Sequence, residues 1–296
     1  MKKKGLGKLK SGLVAWLLLL PALIAIYLMV WRPQVMGIAL SFFKLKGYSV
    51  QEFCGLDNYI RVLSSKNFPL ALKNTLLYVF WSFTLGFLPP LLVAFFINEM
   101  VHFKNGFKTL IYLPALMPGI TVMLLWKFMY SANSSGLLNM ILAKFGMDPY
   151  GWLNHPNTVI LMLVIEMTWC GFPGTMFLYY TTLQGIQMEL YEAAMIDGAG
   201  PIGRFIHVSI PQMGGLLALN IVNQIIGVFQ VMNEPLVMTG GGPNGASMSV
   251  SYLLYRYAFL EGKVGDSLAL GTIIFLILMV ATCFYFYLNK KVEENL

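Results

Sequence analysis

The sequence predicts an all-α integral membrane protein with six transmembrane helices. Hydrophobic residues make up 57% of the 296 residues and charged residues only 11%, whereas soluble domains carry about 45 to 50% apolar residues. Apolar runs of about 20 residues, enough to cross the hydrocarbon core of a bilayer, recur along the whole chain. No remaining stretch could build a separate soluble core, so residues 1–296 are predicted to form a single transmembrane domain.

The apolar runs give the order of the predicted elements. Helices are expected at 13–31, 74–97, 109–130, 158–180, 214–232 and 267–288. Outer loops are expected at 44–73, with short interfacial helices in it, at 131–157 and at 233–263. Prolines remove backbone donors, so Pro89 and Pro90 predict a kink in the second helix, and Pro114 and Pro118 a bend in the third. Gly171, Pro173 and Gly174 predict an interruption of the fourth helix.

Basic residues orient the predicted bundle. Five of the first ten residues are lysines, which places the N-terminus on the cytoplasmic side by the positive-inside rule. Six spans then return the C-terminus to the same side. With these boundaries ten Lys and Arg residues fall inside and ten outside, so the shorter length of the inner segments decides the orientation.

Charge and cysteine content exclude several classes of protein. The net charge of +7 comes from basic residues at the ends of apolar runs, a pattern typical of contact with membrane lipid and not with nucleic acid. The three cysteines have no Cys or His at metal-ligand spacing, so neither a disulfide framework nor a metal site is expected.

No sequence motif for ATP hydrolysis or other catalysis is present. The phosphate-binding loop needs a Gly-Lys pair followed by Ser or Thr, but Lys8 is followed by Leu9 and Lys263 by Val264. We therefore expect no catalytic residue and no cofactor bound by this chain. A membrane-embedded enzyme is the weakest interpretation, and energy for transport must come from another chain or from an ion gradient.

Polar residues inside the apolar runs mark a candidate substrate pathway. Glu166 lies near the middle of the fourth helix, where it either lines a polar cavity or is kept neutral or satisfied by a neighbouring helix. The polar side chains Asn220, Asn223, Gln224 and Gln230 fall largely on one side of the fifth helix and should line a cavity or a subunit interface. Aromatic rings nearby could stack on a sugar or simply pack. The candidate pathway residues are Glu166, Trp169, Asn223, Gln224, Phe229, Gln230 and Asn233.

A polar segment of about residues 181–213 separates the fourth and fifth helices and is predicted to be cytoplasmic. Its residues 190–196 favour a short helix, 197–201 break it, and 202–207 can form a second. The run Tyr191-Glu192-Ala193-Ala194-Met195-Ile196-Asp197-Gly198-Ala199-Gly200, then Phe205 and Val208-Ser209-Ile210-Pro211, resembles the EAA loop of permease subunits of bacterial ABC importers. With the run TGGGPNG at 239–245 and six spans, the chain resembles the MalF-like carbohydrate type.

The resemblance implies a type I ABC importer permease fold and a role in sugar uptake across the bacterial cell membrane. It implies a second permease subunit, two ABC ATPase subunits that bind ATP and Mg²⁺, and an extracytoplasmic sugar-binding protein. Met232 and Asn233 depart from the common pattern and leave the sugar open. The alternative is an ion-coupled secondary transporter that uses Glu166. The residues implied to dock into the ATPase are Glu192, Ala193, Ala194, Asp197, Gly198, Phe205 and Pro211.

Overall fold

The computed structural model describes residues 16–47, 49–100 and 102–293, with the backbone alone for 288–293. The N-terminal lysines and the first three residues of the first predicted helix lie outside the described residues. The longer helices are α1 (Trp16–Leu40), α3 (Asn67–Glu99), α4 (Lys104–Leu116), α5 (Gly119–Met129), α7 (Val159–Gln184), α9 (Pro201–Gln212), α10 (Gly214–Phe229) and α13 (Val264–Glu293). The shorter ones are α2 (Asp57–Leu63), α6 (Leu137–Lys144), α8 (Met188–Ile196), α11 (Pro235–Thr239) and α12 (Val250–Tyr255).

The described chain divides into two compact units, one of which combines the residues up to Leu63 with Tyr257–Ile273. In this unit α1 is followed by an antiparallel hairpin of β1 (Phe43–Lys46) and β2 (Ser49–Phe53). Buried Asn58 donates from Nδ2 to the backbone oxygens of Ser41, at 2.6 Å, and Phe43, at 3.0 Å, which fixes α2 against the hairpin. The hairpin corrects the all-α prediction, because residues 43–53 were expected to be loop.

The second unit, which holds Ser64–Arg256, is built on two long helices. Buried side chains of α3 and α7 pack together in two clusters, one around Tyr78 and Leu163 and one around Phe87 and Tyr179. Phe87 and Tyr179 meet edge to face with ring centroids 5.9 Å apart. These helices are the frame on which the docking segment and the cavity described below are placed.

Several predicted boundaries are wrong, most of them because a helix is longer than predicted, although α10 ends at Phe229 and not at 232. The first helix ends at Leu40 and not at 31, since a π turn at Tyr27–Trp31 precedes Arg32 and Pro33 and lets the helix continue. The second begins at Asn67 and not at 74. The expected interruption of the fourth helix is absent, because α7 runs unbroken through buried Pro173. Near the prolines of the second helix, a π turn occupies Phe83–Phe87.

The third predicted helix is broken in two, and the fifth, α10, follows the second docking helix α9 after a sharp bend. α4 and α5 differ in direction by 95°, and α9 and α10 by 73°. The 11 residues of α5 cover only about 16 Å, roughly half of the hydrocarbon core. Four of the described helices are long and apolar enough to cross a membrane, and six spans result only if each bent pair is counted as one. The count of six and the cytoplasmic position of both termini stay predictions.

Candidate functional site

The predicted docking segment is a helix–turn–helix made of α8 and α9. α8 ends in a Schellman motif: the Ala199 N–H donates to Ala194 O at 2.8 Å, and the Gly198 N–H to Met195 O at 3.0 Å. This end needs a left-handed residue, and Gly198 supplies it with a φ of +82°. After the turn, α9 continues to Gln212, five residues beyond the predicted end at 207.

One face of this segment is buried against the helical frame. The hydroxyls of Tyr191 on α8 and Ser209 on α9 lie 2.9 Å apart and are hydrogen bonded in a buried position. The ring of Phe205 packs on that of Phe95 in α3, with centroids 4.5 Å apart. The two short helices are therefore fixed to each other and to α3.

A long-range ion pair adds a second link to α3. Arg204 Nη2 donates to Glu99 Oε2 at 2.6 Å, and the two side chains are only 15% and 29% exposed. Arg204 Nε is buried and has no hydrogen-bond partner among the described residues. The pair joins α9 to the last residue of α3, so a displacement of α9 would also displace this end of α3.

The opposite face of the segment is open. Ile196 is 87% exposed and Ile202 72% exposed, on either side of the turn. Of the seven residues predicted to dock, six lie at least partly accessible and Phe205 lies on the buried face as an anchor. Their roles at a partner surface stay predictions. The accessible ones are Glu192, Ala193, Ala194, Asp197, Gly198 and Pro211.

A cavity of about 260 Å³ with a mixed polar and apolar lining lies between α3, α7 and α10. On α10 the lining positions have the spacing of one helix face. Gln224 Nε2 donates to the backbone oxygen of Ser82 at 3.3 Å, across the gap between α10 and α3. The lining residues are Ser82, Gly86, Met167, Thr168, Gly171, Phe172, Thr175, Asn220, Asn223, Gln224, Gly227 and Val228.

A glycine permits the close approach of α3 and α10 at this cavity. A Cβ on Gly86 would lie 3.0 Å from Gln224 Nε2 and 3.7 Å from Thr168 Oγ1. Gly86 belongs to the π turn of α3, a local widening that is frequent at functional sites. The close approach of Gln224 to α3 therefore depends on the absence of a side chain at position 86.

The structure brings together only two of the seven predicted pathway residues, Asn223 and Gln224, in the cavity. Gln230 and Asn233 follow the end of α10 and are exposed, while Phe229 is buried. Trp169 is half-buried and meets Trp126 edge to face, with centroids 6.0 Å apart. The pathway roles of these residues stay predictions.

Glu166 lies outside the cavity lining, in the packed interior of the second unit. Its side chain is 1% exposed, and Cys170 Sγ lies 3.5 Å from its Oε1. Its Oε2 is buried without a hydrogen-bond partner among the described residues. Burying a carboxyl oxygen without a hydrogen-bond partner costs free energy of folding. The packing around Glu166 therefore does not explain why a carboxyl group lies there.

Sequence reasoning did not select the cavity walls contributed by α3 and α7. Thr168, Gly171, Phe172 and Thr175 recur at the i, i+3, i+4, i+7 spacing of one helix face. That spacing was available in the sequence, but small and weakly polar residues on an apolar helix do not stand out until a cavity is seen beside them.

Comparison with known proteins decides the family. The family model described as "Binding-protein-dependent transport system inner membrane component" matches residues 91–294, more than half of the chain. The chain belongs to this family. This match and the relatives given next confirm the predicted resemblance to ABC sugar-importer permeases, and the multi-pass membrane character agrees with the family.

Relatives match this permease over nearly its whole length. It is 33% identical to the probable ABC transporter permease protein YurN of Bacillus subtilis, over 97% of this chain and 99% of the relative. It is 30% identical to the trehalose/maltose transport system permease protein MalF of Thermococcus litoralis, over 96% of both chains. A solved bacterial alginate ABC transporter, in complex with a periplasmic protein that holds an alginate pentasaccharide, has the same fold, with a TM-score of 0.86 at 23% identity over 97% of both chains.

Proposed function

We propose that this chain is the membrane-spanning subunit of an ATP-driven importer for a carbohydrate, either an oligosaccharide or a derivative of one. The observation that carries the proposal is the α8–α9 segment: one face is fixed to the bundle and the other is open at Glu192, Ile196 and Ile202. An exposed, rigid helix–turn–helix with apolar tips suits a groove on a partner protein. The names of the relatives support a sugar as the substrate.

The partner in this proposal is an ABC ATPase subunit, one for each of two permease chains. ATP and Mg²⁺ bind to the ATPases and supply the free energy. This chain provides the docking segment and half of the pathway, and a second permease, similar to this one, provides the other half. An extracytoplasmic binding protein delivers the sugar, and the assembly resides in the bacterial cell membrane.

Two continuous paths could carry the motion of the docking segment to the cavity. The first is α3, which holds Glu99 at one end and Gly86 thirteen residues earlier, about 20 Å apart at 1.5 Å per residue. The second is α10, which follows α9 after the bend and brings Asn220 and Asn223 to the cavity. Closure of the ATPases would pull both walls and switch the cavity between the two sides of the membrane.

The mixed lining of amide, hydroxyl and apolar groups suits a carbohydrate, which has both hydroxyls and C–H faces. Amide and hydroxyl groups of Asn223, Gln224, Thr168 and Thr175 can both donate to and accept from sugar hydroxyls. The ring of Phe172 offers an apolar face for the C–H side of a sugar. A volume of about 260 Å³ in one chain is enough for part of an oligosaccharide, with the remainder in the second permease.

The proposal is tested by reversing the charge on the docking face. We expect Glu192→Lys to abolish sugar uptake and stimulation of ATP hydrolysis in the assembled complex, because in this proposal Glu192 meets a basic group of the ATPase, which a lysine would repel. Membrane insertion should be unchanged, since Glu192 is exposed. The matched control is Asp148→Lys, the same charge change at another exposed position. Normal uptake by Glu192→Lys, or equal loss in the control, would contradict the docking role.

A second candidate function has one specific observation behind it, the unpartnered Oε2 of buried Glu166. A carboxylate of this kind could couple transport to a proton or ion gradient. The purified chain is reconstituted alone into liposomes with an imposed proton or sodium gradient. Accumulation of sugar without any ATPase, lost in Glu166→Gln, would establish the ion-coupled carrier, and its absence would leave the ATP-driven importer.

A further inference from the structure

A groove beside the docking segment combines a lysine at one end with an apolar wall. It lies between α4 and α7 and has a volume of about 530 Å³. The residues at one end are polar and include Lys108, whereas those at the other end are apolar. In order along the chain, the lining residues are Asn105, Lys108, Thr109, Tyr112, Leu113, Leu116 and Phe177.

Lys108, at the polar end of the groove, and Lys104, one turn earlier in α4, both lie over one ring. The Nζ atoms of Lys104 and Lys108 lie 5.3 and 4.8 Å from the centroid of the buried Tyr180 ring. Gln184 donates to the Tyr180 hydroxyl at 2.7 Å and fixes the ring. Among the described ion pairs, neither lysine meets a carboxylate, so both positive charges lie near one aromatic ring without a carboxylate partner.

The helix that carries these lysines has the pattern of a membrane-surface helix. Its apolar side chains Phe107 and Leu110 are 48% and 65% exposed, while Lys104 and Lys108 lie on another face. α4 turns by 95° relative to α5, so with α5 across the bilayer α4 lies nearly parallel to the membrane surface. Such a helix places its lysines at the depth of lipid phosphates and its apolar side among acyl chains.

We propose that this groove binds one anionic phospholipid, with its phosphate between Lys104 and Lys108 and an acyl chain along Leu113, Leu116 and Phe177. Charge complementarity selects the anionic headgroup, because each lysine contributes to attraction of an anionic lipid and a zwitterionic lipid lacks net charge. The apolar end distinguishes a lipid from a soluble phosphate, because a soluble phosphate would not contact Leu116 and Phe177.

The site is adjacent to the docking segment. Lys104 donates to the backbone oxygen of Asn98 at 3.2 Å, and the next residue, Glu99, pairs with Arg204 of α9. A lipid bound here would therefore stabilise the same end of α3 that is linked to the docking helices. The lipid site does not depend on the identity of the transported sugar.

The test measures the thermal unfolding temperature of the purified complex in detergent during titration with dioleoyl phosphatidylglycerol. We expect the anionic lipid to raise the Tm more than dioleoyl phosphatidylcholine at equal concentration. Lys104→Gln with Lys108→Gln should weaken the apparent affinity by about 25-fold, roughly fivefold for each lysine. Lys108→Arg retains the charge and should retain the stabilisation by the anionic lipid.

The control is a second groove of similar size, about 510 Å³, beside the first turns of α3. It is also apolar and its lining also contains one lysine, Lys73, but among the described residues no second lysine shares an aromatic ring with it. Lys66→Gln with Lys73→Gln removes the same charge from exposed positions and should leave the lipid response unchanged. Equal responses to the two lipids, or equal loss in both double variants, would overturn the proposal. Equal stabilisation by inorganic phosphate would assign the site to a soluble anion and also overturn it.

Discussion

The ion pair between Glu99 and Arg204 gives the most direct test of how the docking segment is held. Removing one partner of a fully buried pair costs about 3 to 5 kcal/mol, and exposed pairs contribute about 0.2 to 1 kcal/mol. At 15% and 29% exposure this pair lies between the two classes. We expect Glu99→Gln to cost about 2 to 3 kcal/mol, because it leaves the more buried guanidinium unpaired.

Replacing the arginine should cost less free energy of unfolding than replacing the glutamate. Arg204→Gln leaves Glu99, which is the more exposed partner, and removes an Nε that has no partner among the described residues. We expect about 1 to 2 kcal/mol for this variant and nearly the same cost for the double variant as for Glu99→Gln alone. The coupling energy of the pair is then about 1 to 2 kcal/mol.

The assay is a double-mutant cycle on the free energy of unfolding in mixed detergent and SDS micelles, with ATPase activity measured in parallel. The exposed pair of Lys44 and Glu52, 3.1 Å apart, provides a matched cycle in which we expect a coupling below about 1 kcal/mol. If the effects of Glu99→Gln and Arg204→Gln add within about 0.5 kcal/mol, the pair is not an energetic link and the reasoning fails.

Two glycines give further predictions. Gly86→Ala should raise the KM for sugar uptake severalfold, because the new Cβ displaces Gln224 Nε2 at 3.0 Å, whereas Gly174→Ala, with no atom within 4 Å, should have no effect on uptake kinetics. Gly198→Ala forces a side chain into a φ of +82°, costs about 1 to 2 kcal/mol, and should reduce the ATPase co-purifying with the complex, whereas Gly200→Ala should not. Equal behaviour within either pair of variants would contradict the role given to that glycine.

Local features of the sequence were sufficient for the docking segment. Helix formers at 190–196, the break at 197–201 and Gly198 predicted α8, its end and the turn. The Schellman bonds that confirm this end join residues at most five positions apart. Local backbone preference acts over this range, so a linear pattern captures it.

The helix boundaries and bends were harder to predict. Hydropathy identified the apolar runs but not the turns that extend α3 back to Asn67 and α9 on to Gln212. Prolines predicted an interruption both near Pro118 and at Pro173. The chain is broken near Pro118, whereas α7 continues through Pro173. The outcome depends on whether neighbouring side chains hold the helix together around the missing donor, which no local pattern contains.

By itself, the sequence determined the membrane class, the apolar helices, the docking turn and the polar face of α10, because composition and 3.6-residue periodicity encode them. The tertiary structure alone decided that Phe205 faces inward, that Arg204 meets Glu99 105 positions earlier, and that α3 and α7 complete the cavity. Each of these depends on which helix faces become neighbours. That choice is made by packing over the whole second unit and cannot be read from any one segment.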